Sequence, residues 1–105
     1  MTTQTKSTHT PGPWELVHHT APQHDGDRAI YGPGKNAKFI CDMNGGPNDD
    51  SEILANARLI SAAPEMLEML YIVLPAVEEA DEFNKPTHKN GPKVRAIIAK
   101  AEGRI

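Results

Sequence analysis

Neutral imidazole and carboxylate both ligate divalent transition metals, and His18, His19, His24, Asp25 and Asp27 bring such groups together in one short stretch. A zinc or nickel ion held there would make a metal-dependent hydrolase chemically reasonable. The residues nevertheless fall in a turn-rich segment with none of the preset geometry of a His-Glu-x-x-His helix, and a hydrated loop with exposed imidazoles is the simpler reading. No metal ligand is assigned, and no cofactor is implied. Cys41 is the chain's single cysteine. No nucleophile signature surrounds it, and the common role of a lone cysteine is that of a small buried hydrophobe. No catalytic residue is assigned, and the expectation is a protein that is not an enzyme.

Phosphate chemistry is represented by Gly32-Pro33-Gly34-Lys35 and Asn44-Gly45-Gly46-Pro47, whose glycines would let backbone N–H groups approach an anion. Neither has the residue order of a P-loop or a dinucleotide fingerprint, so both read as turns. The acidic run Glu78 to Glu82 has the charge of a nucleic-acid mimic, but a run this short ordinarily forms a solvated helix face. Asn56 and Arg58 are the stronger pair. Arg presents a rigid fork of donors for carboxylate or phosphate and Asn both donates and accepts, while neither is required by a core. Their structural alternative is that Asn56 satisfies loop backbone and Arg58 pairs with Glu65 or an acidic loop residue. Trp14 and Tyr31 have the faces to stack on a base or fill a protein groove, or else serve as core anchors, and Lys35 supplies a cation beside them. The candidate binding set is Asn56, Arg58, Trp14, Tyr31 and Lys35.

The elements that must position these residues can be read from pattern and punctuation. Trp14 to His18 suits a first strand, with Trp14, Leu16 and His18 on one face and Glu15 and Val17 on the other. Arg28 to Tyr31 reads as a second strand stopped by Gly32-Pro33-Gly34, and Lys38 to Met43 as a third. Three short strands between Gly/Pro-bearing loops predict an antiparallel meander. After the breaker Asn44 to Asp50, helix one begins near Ser51, with Ile53, Leu54, Ala57, Ile60 and Ser61 on one stripe and Glu52, Asn56 and Arg58 nearer the other side. Ala62-Ala63-Pro64 ends it, and Pro64 opens helix two, whose apolar stripe is Met66, Leu67, Leu70, Tyr71, Leu74 and Val77, with a kink expected at Pro75. Asn84 to Pro92 reads as a loop. Pro92 can start a third helix bearing Val94, Ile97, Ile98 and Ala101, with Gly103 as its C-cap. The expectation is an α+β domain: a three-stranded antiparallel sheet from the N-terminal half packed against two or three C-terminal helices. Residues 1–10 read as a disordered arm and 11–105 as a single domain.

Composition narrows the partners. The chain has 105 residues, 38% hydrophobic and 5% aromatic, and a formal charge of -3. Its pI is about 5.9 and its mean hydropathy -0.51. There is no basic field for a phosphate backbone, so general nucleic-acid binding is disfavoured. No apolar run is long enough for a bilayer, and a single cysteine fits a reducing cytosol, so a soluble protein without membrane contact is expected. The modest core favours a homo-oligomer, a dimer first.

Asn56-Ala57-Arg58-Leu59-Ile60, running through Ala62-Ala63-Pro64 into the Leu-rich segment ending at Leu70, resembles a helix-hinge-helix motif of small accessory proteins encoded by tailed bacteriophages and prophages. The opening His9-Thr10-Pro11-Gly12-Pro13-Trp14 and the tail Lys93 to Gly103 resemble the ends of the same proteins. Ser61, Met66 and Met69 stand where those proteins more often resemble Ala and Leu, and Asn84 to Gly91 has no counterpart. The resemblance implies a phage accessory protein of the host bacterial cytoplasm, without an established activity. Small phage proteins of that kind often counter bacterial immunity. They do so by binding a defence protein, as anti-CRISPR proteins do, or by sequestering a nucleotide signal as a sponge, here in an inter-subunit pocket.

Overall fold

The computed structural model describes residues 9–18, 28–43 and 50–104. The loop from His19 to Asp27, the breaker from Asn44 on to residue 49 and most of the arm lie outside the described residues. Among the described residues the fold is α+β, with a three-stranded antiparallel sheet in the N-terminal half and three helices after it. Strands β1 (Glu15–His18), β2 (Arg28–Tyr31) and β3 (Phe39–Asp42) precede helices α1 (Asp50–Ser61), α2 (Ala63–Asp81) and α3 (Gly91–Ala101). Two compact units can be separated, Thr10–Glu65 and Met66 onward, His9 going with the second.

In the first unit β2 is the central strand, pairing Leu16 with Ile30 on one side and Ile30 with Cys41 on the other. Ala29 and Ile30 are both buried, so β2 is covered on its two faces. A bulge between Ile30 and Tyr31 shifts the register and sets Phe39 opposite Tyr31. The expected alternation along β1 is blurred: Leu16 and Val17 are both half-buried, while Glu15 and His18 are exposed. Its start is also one residue later, at Glu15, because Trp14 is held from behind by its indole N–H donating to the Thr10 carbonyl at 3.0 Å.

Helix α1 packs against β1. Ile53 and Ala57 are buried and Leu54, Ile60 and Ser61 half-buried, as the i, i+3, i+4, i+7 spacing predicts. Pro64 stands in the first turn of α2, where its missing N–H costs nothing. It does a second job there. A Cβ placed on Gly12 would lie 2.9 Å from the Pro64 Cβ. The Pro11-Gly12-Pro13-Trp14 opening and the Ala62-Ala63-Pro64 hinge are therefore in direct contact, and only a glycine lets them close. Gly12→Ala is expected to destabilise by about 1–3 kcal/mol, since a rigid proline ring cannot retreat. The measurement is the urea midpoint at unchanged slope; an unaltered midpoint would show that the contact relaxes without cost.

The second unit is an antiparallel pair, α2 and α3, tied at three heights. At the end away from the loop the Tyr71 hydroxyl donates to the Glu102 carboxylate, and at the next level Arg95 Nε donates to Glu78 Oε2 at 2.5 Å. At the loop end Asp81 meets the start of α3. Leu67, Ile98 and Ala99 are buried. Met66, expected on the packed stripe, is instead 50% exposed. Residues 66–74 of α2 are nearly all apolar, so several stripes are equally available to periodicity, and the packed one centres on Leu67, Leu70 and Leu74. The loop between the helices carries one 3-10 turn, Pro86–His88. Gly103, at φ +75°, closes α3: its N–H donates to the Lys100 carbonyl at 3.1 Å, and the Arg104 N–H to the Ala99 carbonyl at 2.8 Å. These two bonds form the Schellman pattern that a left-handed glycine permits.

Candidate binding surfaces

Asn56 and Arg58 are both exposed on α1. Two residues of helix turn the chain through about 200°, so their side chains leave from opposite flanks of the packed stripe. They do not converge on one small ligand. Among the described residues neither side chain is engaged in a hydrogen bond or ion pair, and the alternative pairing of Arg58 with Glu65 is not made. Leu59, beside them in the same motif, is 61% exposed and neighbours Asn56 at i, i+3 spacing. Ser61, at the end of α1, has a buried hydroxyl with no hydrogen-bond partner. That is a cost an alanine would not carry.

A second surface forms at one end of the sheet. The turn from Gly32 to Lys38 is closed by the Gly32 N–H donating to the Lys38 carbonyl at 2.7 Å, with Gly34 at φ +100°. Lys35 is exposed in this turn, which joins the strand ends bearing Tyr31 and Phe39. Those two rings meet edge to face, centroids 5.8 Å apart and planes at 72°. Phe39 is 56% exposed and was not among the residues singled out from sequence. Its pairing with Tyr31 depends on the bulge, and no local pattern announces a bulge. Trp14 is half-buried just before β1, whose first residue Glu15 pairs with Tyr31, so the aromatic residues and Lys35 belong to the same end of the sheet. The glycines of Gly32-Pro33-Gly34-Lys35 thus serve the hairpin; Asn44-Gly45-Gly46-Pro47 lies outside the described residues.

Of the histidine and aspartate stretch, only His18 is described, exposed at the end of β1. Among the described residues no three His, Cys, Asp or Glu side chains are arranged to hold a metal ion. Cys41 is half-buried with its Sγ 3.9 Å from Met43 Sδ. Burial first, and then the Asp42 carboxylate, push its thiol above the ordinary value, which leaves less thiolate to act as a nucleophile.

The acidic run departs from a solvated face at Glu78, paired with Arg95, and most of all at Asp81. Asp81 is only 6% exposed. Its Oδ1 accepts from the Asn90 N–H at 2.8 Å and from Asn84 Nδ2 at 3.2 Å, and its Oδ2 from the Gly91 N–H at 2.6 Å. Asp81 therefore serves as the cap that α3 lacks locally, because Asn90 makes no side-chain cap. Lys89 Nζ adds a bond to the Asp81 carbonyl at 2.5 Å. At the other end of the pair, burial and the bond to Glu102 push Tyr71 up to about 12. Glu102 is held below its usual range by the Tyr71 hydroxyl and then by Arg104, whose Nε lies 2.6 Å away.

No single helix among the described residues is long and apolar enough to cross a membrane. The full chain, residues 1–105, matches the family model described as Salmonella phage P22 protein Y8K6. No curated protein and no solved structure matches it.

Proposed function

The chain belongs to this phage protein family, and from that premise we propose that it is a non-enzymatic accessory protein of the host bacterial cytoplasm that counters bacterial defence by binding a defence protein. The observation that carries the reading is the outer face of α1, where exposed Leu59 stands between Asn56 and Arg58 while Ile53 and Ala57 anchor the opposite side. An apolar side chain with a neutral amide and a guanidinium spread round a helix fits a broad protein surface. It does not form the concave set of convergent groups that a small molecule requires.

The test is infection. Deleting the coding sequence from a phage that carries it should lower plating efficiency on a host whose defence it counters, and plating should recover when that defence is removed. Arg58→Glu, with an unchanged melting curve, should weaken the complex by roughly 30-fold, the effect of losing an Arg hot spot, and plate like the deletion. Equal plating of parent and deletion across hosts with defined defence systems would overturn the reading.

The sheet end favours a second reading, a sponge that holds a cyclic or other nucleotide signal in an inter-subunit pocket. Tyr31 offers a ring face beside Phe39, Trp14 and Lys35 belong to the same end, and Arg58 and Asn56 would have to come from different subunits. Melting against a nucleotide panel separates the two readings. A ligand at 100 times its Kd stabilises by about 2.7 kcal/mol, whereas a protein-binding surface leaves the curve unmoved.

A further inference from the structure

Helix α2 has two apolar faces and only one of them is packed. Leu67 is buried and Leu70 and Leu74 half-buried along one stripe, whereas Met66, Met69, Ile72 and Ala76 are exposed, at steps of three and four residues along another stripe. Met69 is 52% and Ile72 61% exposed. Glu68 and Glu79 border this stripe, both exposed, and α2 contains no lysine or arginine.

An exposed stripe of flexible methionines and one isoleucine, with carboxylates along one edge and no cation on the helix, is complementary to one kind of occupant. We infer that this face of α2 docks a basic amphipathic helix of a partner protein, apolar side against Met66, Met69 and Ile72, with lysines or arginines meeting Glu68 and Glu79. Methionine surfaces adapt to the side chains laid on them, and an apolar face with an acidic border is complementary to helices that are cationic on one side and apolar on the other. A second copy of α2 is disfavoured as the occupant, because pairing this stripe with itself brings carboxylates together with no cation to offset them. The inference deepens the protein-binding reading by naming the partner's chemistry. It is tested on purified protein, so its failure leaves the plating result standing.

The probe is a labelled Leu/Lys peptide patterned as an amphipathic helix, titrated by fluorescence anisotropy against the full chain, with a scrambled Leu/Lys peptide and a Leu/Glu peptide of the same pattern alongside. The patterned Leu/Lys peptide is expected to bind and the other two to fail. Ile72→Glu should weaken binding at least ten-fold, as should the double change Glu68→Lys with Glu79→Lys, both with unchanged melting. Ile72→Glu is the discriminating variant, since it adds negative charge. If attraction were only electrostatic it would bind more tightly, and that result overturns the inference. Equal binding of the scrambled peptide, or no binding at all, does the same. A dimer in sedimentation that Met69→Glu dissolves would make a second copy the occupant and overturn it as well.

Discussion

Asp81→Ala is expected to lower the melting temperature by roughly 10 °C, a change out of proportion to one residue of an acidic run. The substitution does not merely delete a charge. It orphans the Asn90 and Gly91 N–H groups at the start of α3, which have no other side-chain cap, and frees the Asn84 amide. It also empties the place beside Gly91, where a Cβ would stand 2.9 Å from Asp81 Oδ2, so the glycine no longer has the carboxylate it makes room for. Glu82→Ala, one residue on and exposed, is the matched control and should leave melting within a degree or two.

The same carboxylate gives the effect a pH signature. The Asn90 N–H first, then the Gly91 N–H, the Asn84 amide and the Lys89 ammonium hold Asp81 below the usual carboxylate range, against the opposing push of its burial. A carboxylate depressed in the folded state contributes stability that is fully present above its unfolded value, near 4, and is lost as pH falls through the folded value. Stability of the parent should therefore fall on acidification below about pH 4, and Asp81→Asn should remove that part of the acid limb. Asparagine keeps one acceptor but turns an amide toward the Asn90 and Gly91 donors, so it should also be less stable than the parent at neutral pH. An Asp81→Asn variant as stable at pH 7 as the parent would show that the cap is dispensable.

Legibility in the sequence differed from element to element, for physical reasons. The strands were placed within a residue or two because Gly32-Pro33-Gly34 and the polar loops bracket them, and α1 because its apolar residues recur at one helical spacing. The packed face of α2 is not fully legible, since its residues are apolar on nearly every side and only tertiary packing selects Leu67 over Met66. Nor is the role of Asp81, because five consecutive positions rich in carboxylate look alike whether they meet water or a helix end ten residues away. The exposure of Asn56 and Arg58 follows from the stripe they avoid, and their divergence was implicit in a spacing of two. Phe39 required the bulge, and the union of the opening segment with the hinge required Gly12 and Pro64 to meet across the first unit. What makes those two segments recognisable is thus partly that they pack on each other.

Ile30→Ala should be the most damaging single change in the sheet, costing about 3–4 kcal/mol against a total of roughly 5–15 kcal/mol for a domain of this size. Among the described residues Ile30 is the one large side chain that is completely buried, on β2 between Leu16 and Cys41. Its loss leaves a cavity that a hydrogen-bonded strand cannot move to fill. A graded series separates volume from polarity. Ile30→Val removes one methylene and should cost about 1 kcal/mol, whereas Ile30→Thr has nearly the shape of Val but buries a hydroxyl and should cost roughly 1–3 kcal/mol more. Leu59→Ala, an equally apolar but exposed position, should change stability by no more than about 0.5 kcal/mol. Denaturant unfolding of the four variants decides the matter. If Val and Thr proved equal, the Ile30 site would have to admit water, and β2 would not be the dry centre on which the placement of Tyr31, Phe39 and α1 depends.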